Sequence, residues 1–501
     1  MVEPMALPAY SAVMTSPADI AKTAMTQLAS GQAMDGLKTL NAGLQQFPGA
    51  PQLLQLRAAA CWQMGDLYAA DDSLKALISA QGADSPATDL MTAQLCLDLL
   101  EFDRARAALD RLLAAGTITP GLVKTAVRLL TWQGDLPLAL DILEQQLGAT
   151  PDDPELLALA VTHDRGISDT RLNTATSIAD RLPDIHASKP RLYFALARRA
   201  DANKDYSEAW TLAEKANRLQ ARQQDYKYNA DARAAFQTQL KTRAGRAVVL
   251  SGTLTPPPEP SGQAMVYLVG APRTGSSLIQ SILSAAPNVD SAGERGAMLP
   301  YLNGLCDAPS PSPAADFLTQ VQQADLSGLK RGGFTAPHIV DKTTHNFFVL
   351  PLLAKAHAGA KCVNVIRRPQ DVALSIFMHE FPPAFPEACD LQTIAETLSA
   401  RGEITLLYRE AGIDMITHDH DAFCAAPEIS GKTLTDALNL NWSPDALAPE
   451  NRNAAVPTFS SGQVRRPIQP TPADHWQRFA PFMPSETLEL LQKVEIAQTP
   501  R

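Results

Sequence analysis

Apolar and small residues recur along the first half of the chain in three columns. One holds Leu67, Phe102, Leu136, Leu172 and Tyr206; three positions on stand Ala70, Ala105, Ala139, Ala175 and Ala209; four further on come Leu74, Leu109, Leu143, Ala179 and Ala213. Successive copies lie 35, 34, 36 and 34 residues apart, the period of two-helix solenoid repeats. Offsets of three and then four put the columns on one helical face, and the recurring alanine permits close helix-on-helix approach. The turn signals Gly65-Asp66 and Gly134-Asp135 precede two of these helices, and Pro137 suits a first helical turn. A weaker copy runs through Gly36 and Leu40. The columns describe core packing, not chemistry.

The pattern changes after a helical run expected to end near Arg246. Prolines cluster between Ser251 and Gly262, where neither a helix nor a central strand continues. Short apolar runs follow, Ala264 to Val269 and Cys362 to Ile366, each leading through a Gly, Pro or Arg turn into a helix-like segment. That alternation predicts a parallel α/β sheet. The expected organisation is therefore an all-α helical-repeat solenoid over residues 1–246, a Pro-rich linker over 247–262 and a P-loop-like α/β domain with a central parallel sheet over 263–501.

Composition narrows the classes. With 501 residues, 45% apolar and 19% charged, the chain is long enough for more than one core and too apolar for wholesale disorder. A net charge of −10 disfavours general attraction to nucleic acid or anionic lipid, while leaving room for a local basic pocket. No basic n-region with an apolar core opens the chain and no run reaches membrane-span length, so a cytoplasmic protein is expected. Six scattered cysteines without a C-x-x-C pair fit reduced thiols.

The segment MVYLVG-APRTGSSLIQSIL reads as strand, tight loop and helix, with Gly270 and Gly275 placed like the two glycines of a nucleotide P-loop. Ser276 stands where the Walker lysine belongs, which removes the group that reaches β- and γ-phosphates and counts against a nucleotide kinase. Helix-start amides with the hydroxyls of Thr274, Ser276 and Ser277 still cradle a phosphate, and Arg273 offers a permanently charged fork. In VNVIRRPQDVALSIF, Arg367 falls at a strand end and Ser375 eight residues on, a spacing that suits a second phosphate outside the sheet's carboxyl edge. Arg368 reads equally as a solvated charge.

APRTGSSL, DKTTHNF, VIRRPQDVALSIF and SSGQVRRPI, in this order, resemble the sulfotransferases that use 3′-phosphoadenosine 5′-phosphosulfate (PAPS). The resemblance is to the branch with tyrosylprotein sulfotransferases and with bacterial proteins that join tetratricopeptide repeats to such a domain. It implies that Arg273, Thr274, Gly275, Ser276 and Ser277 bind the 5′-phosphosulfate, that Arg367 and Ser375 bind the 3′-phosphate, and that Ser461, Arg465 and Arg466 close over the nucleotide. It further implies that Glu294 of SAGERGAM takes the acceptor's proton, while Lys342 and Arg273 stabilise charge as the donor bond breaks, with no metal required. The acceptor it suggests is a hydroxyl on a protein or peptide, tyrosine included. A carbohydrate or small metabolite is the rival within this chemistry, and a repeat scaffold that binds PAP without catalysis is the rival outside it. The repeats would recruit the acceptor or a partner, or merely support the second domain.

The bland readings are that Glu294 is a helix-start charge and that Asp341 and Lys342 form a surface ion pair. Departures from the family pattern are Thr344 for a proline, with Asn346 retained, His475 for a lysine before Trp476, and His418 for a tyrosine. His418 and His420 in THDHD are expected in a solvated turn rather than on a metal. His345 and His379 lie close to the proposed site along the chain.

Overall fold

The computed structural model describes residues 16–82, 85–116, 118–259, 262–448, 467–468 and 475–498. Contacts divide the chain into two compact units, residues 1–129 and 130–501.

The repeats form helices α1 (Pro17–Ala29), α2 (Ala33–Gln46), α3 (Pro51–Gln63), α4 (Leu67–Gln81), α5 (Pro86–Asp98), α6 (Phe102–Ala114), α7 (Pro120–Gln133), α8 (Leu136–Ala149), α9 (Pro154–His163), α10 (Asp169–Arg181), α11 (Ser188–Ala202) and α12 (Tyr206–Gln223). The even-numbered helices α4 to α12 carry the three sequence columns. Every alanine of the second column and every residue of the third is at most 1% exposed, as a close-packed helix seam requires. Helix starts follow local chemistry: Asp66, Asp135 and Asp205 each cap the amide three residues on, and proline opens α1, α3, α5, α7 and α9.

Helix α13 (Ala230–Thr253) runs seven residues past the expected stop at Arg246. Ala247 and Leu250 explain the extension, because both are buried in the sheet's core and burial outweighs the weak local stop signals ahead of the prolines.

Beyond it lie β1 (Ala264–Gly270), α14 (Ser276–Leu283), β2 (Val289–Gly293), α15 (Leu299–Asp307), α16 (Phe317–Arg331), β3 (His338–Asp341), α17 (Leu350–Ala356), β4 (Lys361–Ile366), α18 (Pro369–Phe377), α19 (Leu391–Glu410), β5 (Met415–Asp419), α20 (His420–Ala425), α21 (Pro427–Ala437) and α22 (Ser485–Gln498). The five strands are all parallel, in the order β2-β3-β1-β4-β5. Both faces are covered: Met265, Tyr267 and Val269 of β1 pack with α13, α15 and α16, while Val266 and Leu268 pack with α14 and α21. A parallel sheet buried on two faces reads as continuous apolar runs for this reason.

A third core ties α11 and α12 to the sheet's edge. Ala197, Ala209, Trp210 and Ala213 are buried with Ala271, Val372, Phe377, Leu391 and Phe479. Trp210 lies 4.9 Å from Phe377 between ring centroids, and Asn217 donates to the Phe377 carbonyl at 2.8 Å. The last repeats therefore share one hydrophobic core with the segment that follows β4.

Candidate active site

The carboxyl ends of all five strands lie along one edge of the sheet, and candidate groups follow each strand within a few residues. Arg273 comes after β1, Glu294 after β2, Lys342 after β3, Arg367 after β4 and His420 after β5. Residues up to about 150 positions apart in sequence are thus gathered where doubly wound sheets bind ligands.

The loop after β1 is shaped by two glycines. Gly270 has φ +147°, and a β-carbon there would stand 2.5 Å from the Val365 carbonyl oxygen of the neighbouring strand. Gly275, at φ +94°, opens α14; a β-carbon on it would lie 2.1 Å from Nδ1 of His420. Arg273 between them is also left-handed, at φ +70°. The Thr274 hydroxyl donates to the Ala271 carbonyl at 2.8 Å and pins the turn. The Leu278 and Ile279 amides donate to the Gly275 carbonyl at 2.9 and 3.2 Å, closing the first turn of α14, and the positive end of the helix dipole there favours anions.

Two arginines meet at this loop. Arg367 Nη1 donates to the Arg273 carbonyl at 3.3 Å, and Arg273 Nε donates to Ser375 Oγ at 3.0 Å. Asp421 faces Arg367 at 3.7 Å, but Arg367 Nε makes no hydrogen bond among the described residues. Burial, reinforced by Arg367 and Arg198, pushes the Arg273 guanidinium down to about 10. Its charge persists at neutral pH. Arg368, in contrast, is engaged by Asp371 at 3.3 Å and Glu495 at 3.6 Å.

Glu294 and Lys342 form a pair on the other side. Lys342 is 2% exposed and its Nζ contacts both Glu294 Oε1 and, at 3.3 Å, Ser277 Oγ of the phosphate loop, while the Glu294 side chain remains half exposed. Asp341 is buried rather than at the surface. It accepts from the Thr343 amide at 2.9 Å and from Asn346 Nδ2 at 3.2 Å, so it shapes the bend that carries Lys342, and burial raises its pKa. The pair thus presents one carboxylate to solvent and one ammonium to the loop.

Residues 266–444 match the family model described as the sulfotransferase family. The second unit carries a sulfotransferase-family domain. An uncharacterized protein of Aquifex aeolicus (strain VF5) is 24% identical over 416 residues, 79% of this chain and 54% of that protein. The chain therefore spans about half the length of that relative. A Caenorhabditis briggsae protein described as "Putative protein-tyrosine sulfotransferase" is 21% identical over 233 residues, 43% of this chain and 81% of that protein. Among solved structures, a tetratricopeptide repeat protein from Parabacteroides merdae aligns with a TM-score of 0.33 at 15% identity, covering 43% of this chain and 82% of that one.

The sulfotransferase-family domain brings together Arg273, Thr274, Gly275, Ser276, Ser277, Glu294, Lys342, Arg367 and Ser375. Ser461, Arg465 and Arg466 lie outside the described residues. His418 and His420 depart from the expected solvated turn: both are buried, at 5% and 8% exposure, since β5 and α20 press them under the sheet edge. Burial pushes each ring down to about 4. His379 is held well below its usual range by burial and by Arg273 and Arg198, and its Nδ1 sits 2.7 Å from the Ser375 carbonyl.

Two contributors escaped the motif search. Arg295, beside Glu294, forms an ion pair with the buried Asp325 of α16 and donates to the Asp325 carbonyl at 2.9 Å, anchoring the Glu294 bend. Arg198 lies on α11, in a repeat helix. Behind burial, its charge helps hold Arg273 and His379 below their usual ranges, and LYFALARRADA carries no motif that marks it.

Proposed function

We propose that this protein transfers a sulfuryl group from PAPS to an acceptor hydroxyl on a protein or peptide, with tyrosine among the candidate side chains. The observation that carries this reading is the junction at Ser277, where a phosphate loop without a Walker lysine meets the buried Lys342 and its partner Glu294.

The donor substrate fits the residues present. A tight loop in which Gly270 and Gly275 pack too closely on Val365 and His420 to carry a β-carbon, with Arg273 and Arg367 meeting at it, suits a polyanion. Residues 273–277 would hold the 5′-phosphosulfate, and Arg367 with Ser375 the 3′-phosphate that distinguishes PAPS from ATP. PAPS supplies a sulfuryl group on a phosphate leaving group. The protein's part is position and charge, as in phosphoryl transfer. Glu294, half exposed, receives the acceptor's proton on a carboxylate oxygen. Lys342, in contact with both Glu294 and Ser277, presents positive charge to the loop after β1, to which Arg273 adds its own.

A protein acceptor is supported by the repeats, whose stacked helix pairs form the kind of surface that holds polypeptides, and by the name of the C. briggsae relative. We place the enzyme in the cytoplasm, where six buried free thiols stay reduced. Among the described residues no helix is long and apolar enough to cross a membrane.

Incubation with isotope-labelled PAPS and host lysate, followed by identification of labelled species, tests the reading. Glu294→Ala should abolish labelling while PAP binding is largely kept. Normal turnover in that variant would remove Glu294 as the base, and label confined to sugars or small metabolites would overturn the protein acceptor.

A further inference from the structure

We propose that Asn217, on the last repeat helix, is a positioning residue for the donor nucleotide: by capping α18 it holds Ser375 in place for the 3′-phosphate. The inference rests on the donor reading above and carries it into the repeats, which then help set donor selectivity.

Helix α18 is nine residues long, and Ser375 stands in its last turn. The Met378 amide donates to the Leu374 carbonyl at 3.0 Å, and the helix's own ladder leaves over the three carbonyls that follow. His379 serves two of them. Its amide donates to the Ile376 carbonyl at 3.1 Å, and its Nδ1, which must carry the proton opposite a carbonyl, lies 2.7 Å from that of Ser375. The third, the Phe377 carbonyl, accepts from Asn217 Nδ2 at 2.8 Å, across 160 positions of sequence. Arg273 Nε donates to Ser375 Oγ at 3.0 Å, so the turn that Asn217 closes carries the serine met by the loop after β1.

The chemistry of Asn217 shows what it supplies. It is 2% exposed, its Nδ2 also donates to the Ala213 carbonyl of its own helix at 3.0 Å, and its Oδ1 has no hydrogen-bond partner among the described residues. With both partners carbonyls, the amide cannot turn over. A buried oxygen without a partner is destabilising, and a leucine of similar size would fill the space without one. The return on that cost is the pair of donors. Gln220, one turn along α12, repeats the arrangement: its Nε2 donates to the Phe381 carbonyl at 2.5 Å while its Oε1 is unpartnered among the described residues. The Phe381 carbonyl, however, lies beyond α18 and closes no turn that bears Ser375. Trp210 against Phe377 and the two bonds from Arg191 to Glu380 secure the same segment, so removing Asn217 loosens the turn without detaching the helix.

The test is calorimetric titration of the intact protein with PAP and with 5′-AMP, which lacks the 3′-phosphate. Asn217→Ala and the volume-keeping Asn217→Leu should each weaken PAP about 3- to 10-fold, the loss of one neutral hydrogen bond, and leave 5′-AMP within about twofold of wild type. Gln220→Ala gives up an equivalent bond from the same helix and should leave both affinities within about twofold. A merely structural role would lower the thermal stability of all three variants without separating the two nucleotides. PAP affinity within about twofold of wild type in the Asn217 variants, an equal loss for 5′-AMP, or the same PAP-selective loss in Gln220→Ala would overturn the inference. Unaltered protein that binds PAP no more tightly than 5′-AMP would instead remove the 3′-phosphate site from the donor reading, and this inference with it.

Discussion

Replacing Gly275 by alanine should damage the phosphate loop through two separable effects. The first is backbone strain: at φ +94° a residue with a β-carbon costs roughly 1–2 kcal/mol. The second is collision, because the new β-carbon would stand 2.1, 2.4 and 2.6 Å from Nδ1, Cε1 and Cγ of His420. The ring has little room to retreat, since it is 8% exposed and its Nε2 lies 3.5 Å from the Cys424 thiol. Overpacking of this kind costs about 1–3 kcal/mol, so Gly275→Ala should lose about 2–5 kcal/mol in all. Since burial holds His420 at about 4, the clash is steric rather than electrostatic at neutral pH. Truncating the ring in Gly275→Ala/His420→Ala should remove the collision and leave the strain, giving a favourable coupling of about 1–3 kcal/mol in a double-mutant cycle. Denaturant titration followed by tryptophan fluorescence measures this, with Trp132, Trp210, Trp442 and Trp476 in the second unit. A Gly275→Ala protein within about 0.5 kcal/mol of wild type, or a double variant no better than the sum of the singles, would refute the reasoning.

Two further expectations concern supports of the site. Asp325→Ala removes the buried carboxylate that pairs with Arg295 and lies 3.1 Å from His357, which should cost about 3–5 kcal/mol and lower turnover more than donor affinity, because the Glu294 bend loosens while the loop after β1 is untouched. Steady-state kinetics showing only a KM effect would contradict it. His475 gains an ion-pair hydrogen bond to Asp201 that raises its pKa above 6.5 in the folded state. Its stabilising contribution is therefore complete below the unfolded value and disappears as pH rises through the folded one. The stability advantage of wild type over His475→Gln should shrink as pH rises above 6.5, and an advantage that grows with pH would exclude the pairing.

Local chemistry alone determined much of this protein. A period near 35 with an alanine column leaves a helix pair no alternative but to stack, because only small residues let two backbones approach so closely. Asp66 and Asp135 mark helix starts by the same amides they cap. Gly270 and Gly275 mark a tight loop between a strand and a helix, with serine in the Walker lysine position. The caps and loop glycines span a few residues and the repeat is a regular spacing along the chain, so the chain order carries all of them.

What only the tertiary structure decided depends on neighbours far apart in sequence. The end of α13 moved from Arg246 to Thr253 because Ala247 and Leu250 face a core whose other half lies beyond the prolines. THDHD reads as polar and solvated, yet β5 and α20 bury both of its histidines, one of them against Gly275. The grouping of Glu294, Lys342 and Ser277 follows from a strand order that sets β2, β3 and β1 side by side, and no spacing along the chain encodes that order. Ala197 and Trp210 are the furthest case. The repeat pattern explains why the chain around them is helical, while their core with α18 arises because burial of apolar surface is non-directional and selects partners only once the whole fold is assembled.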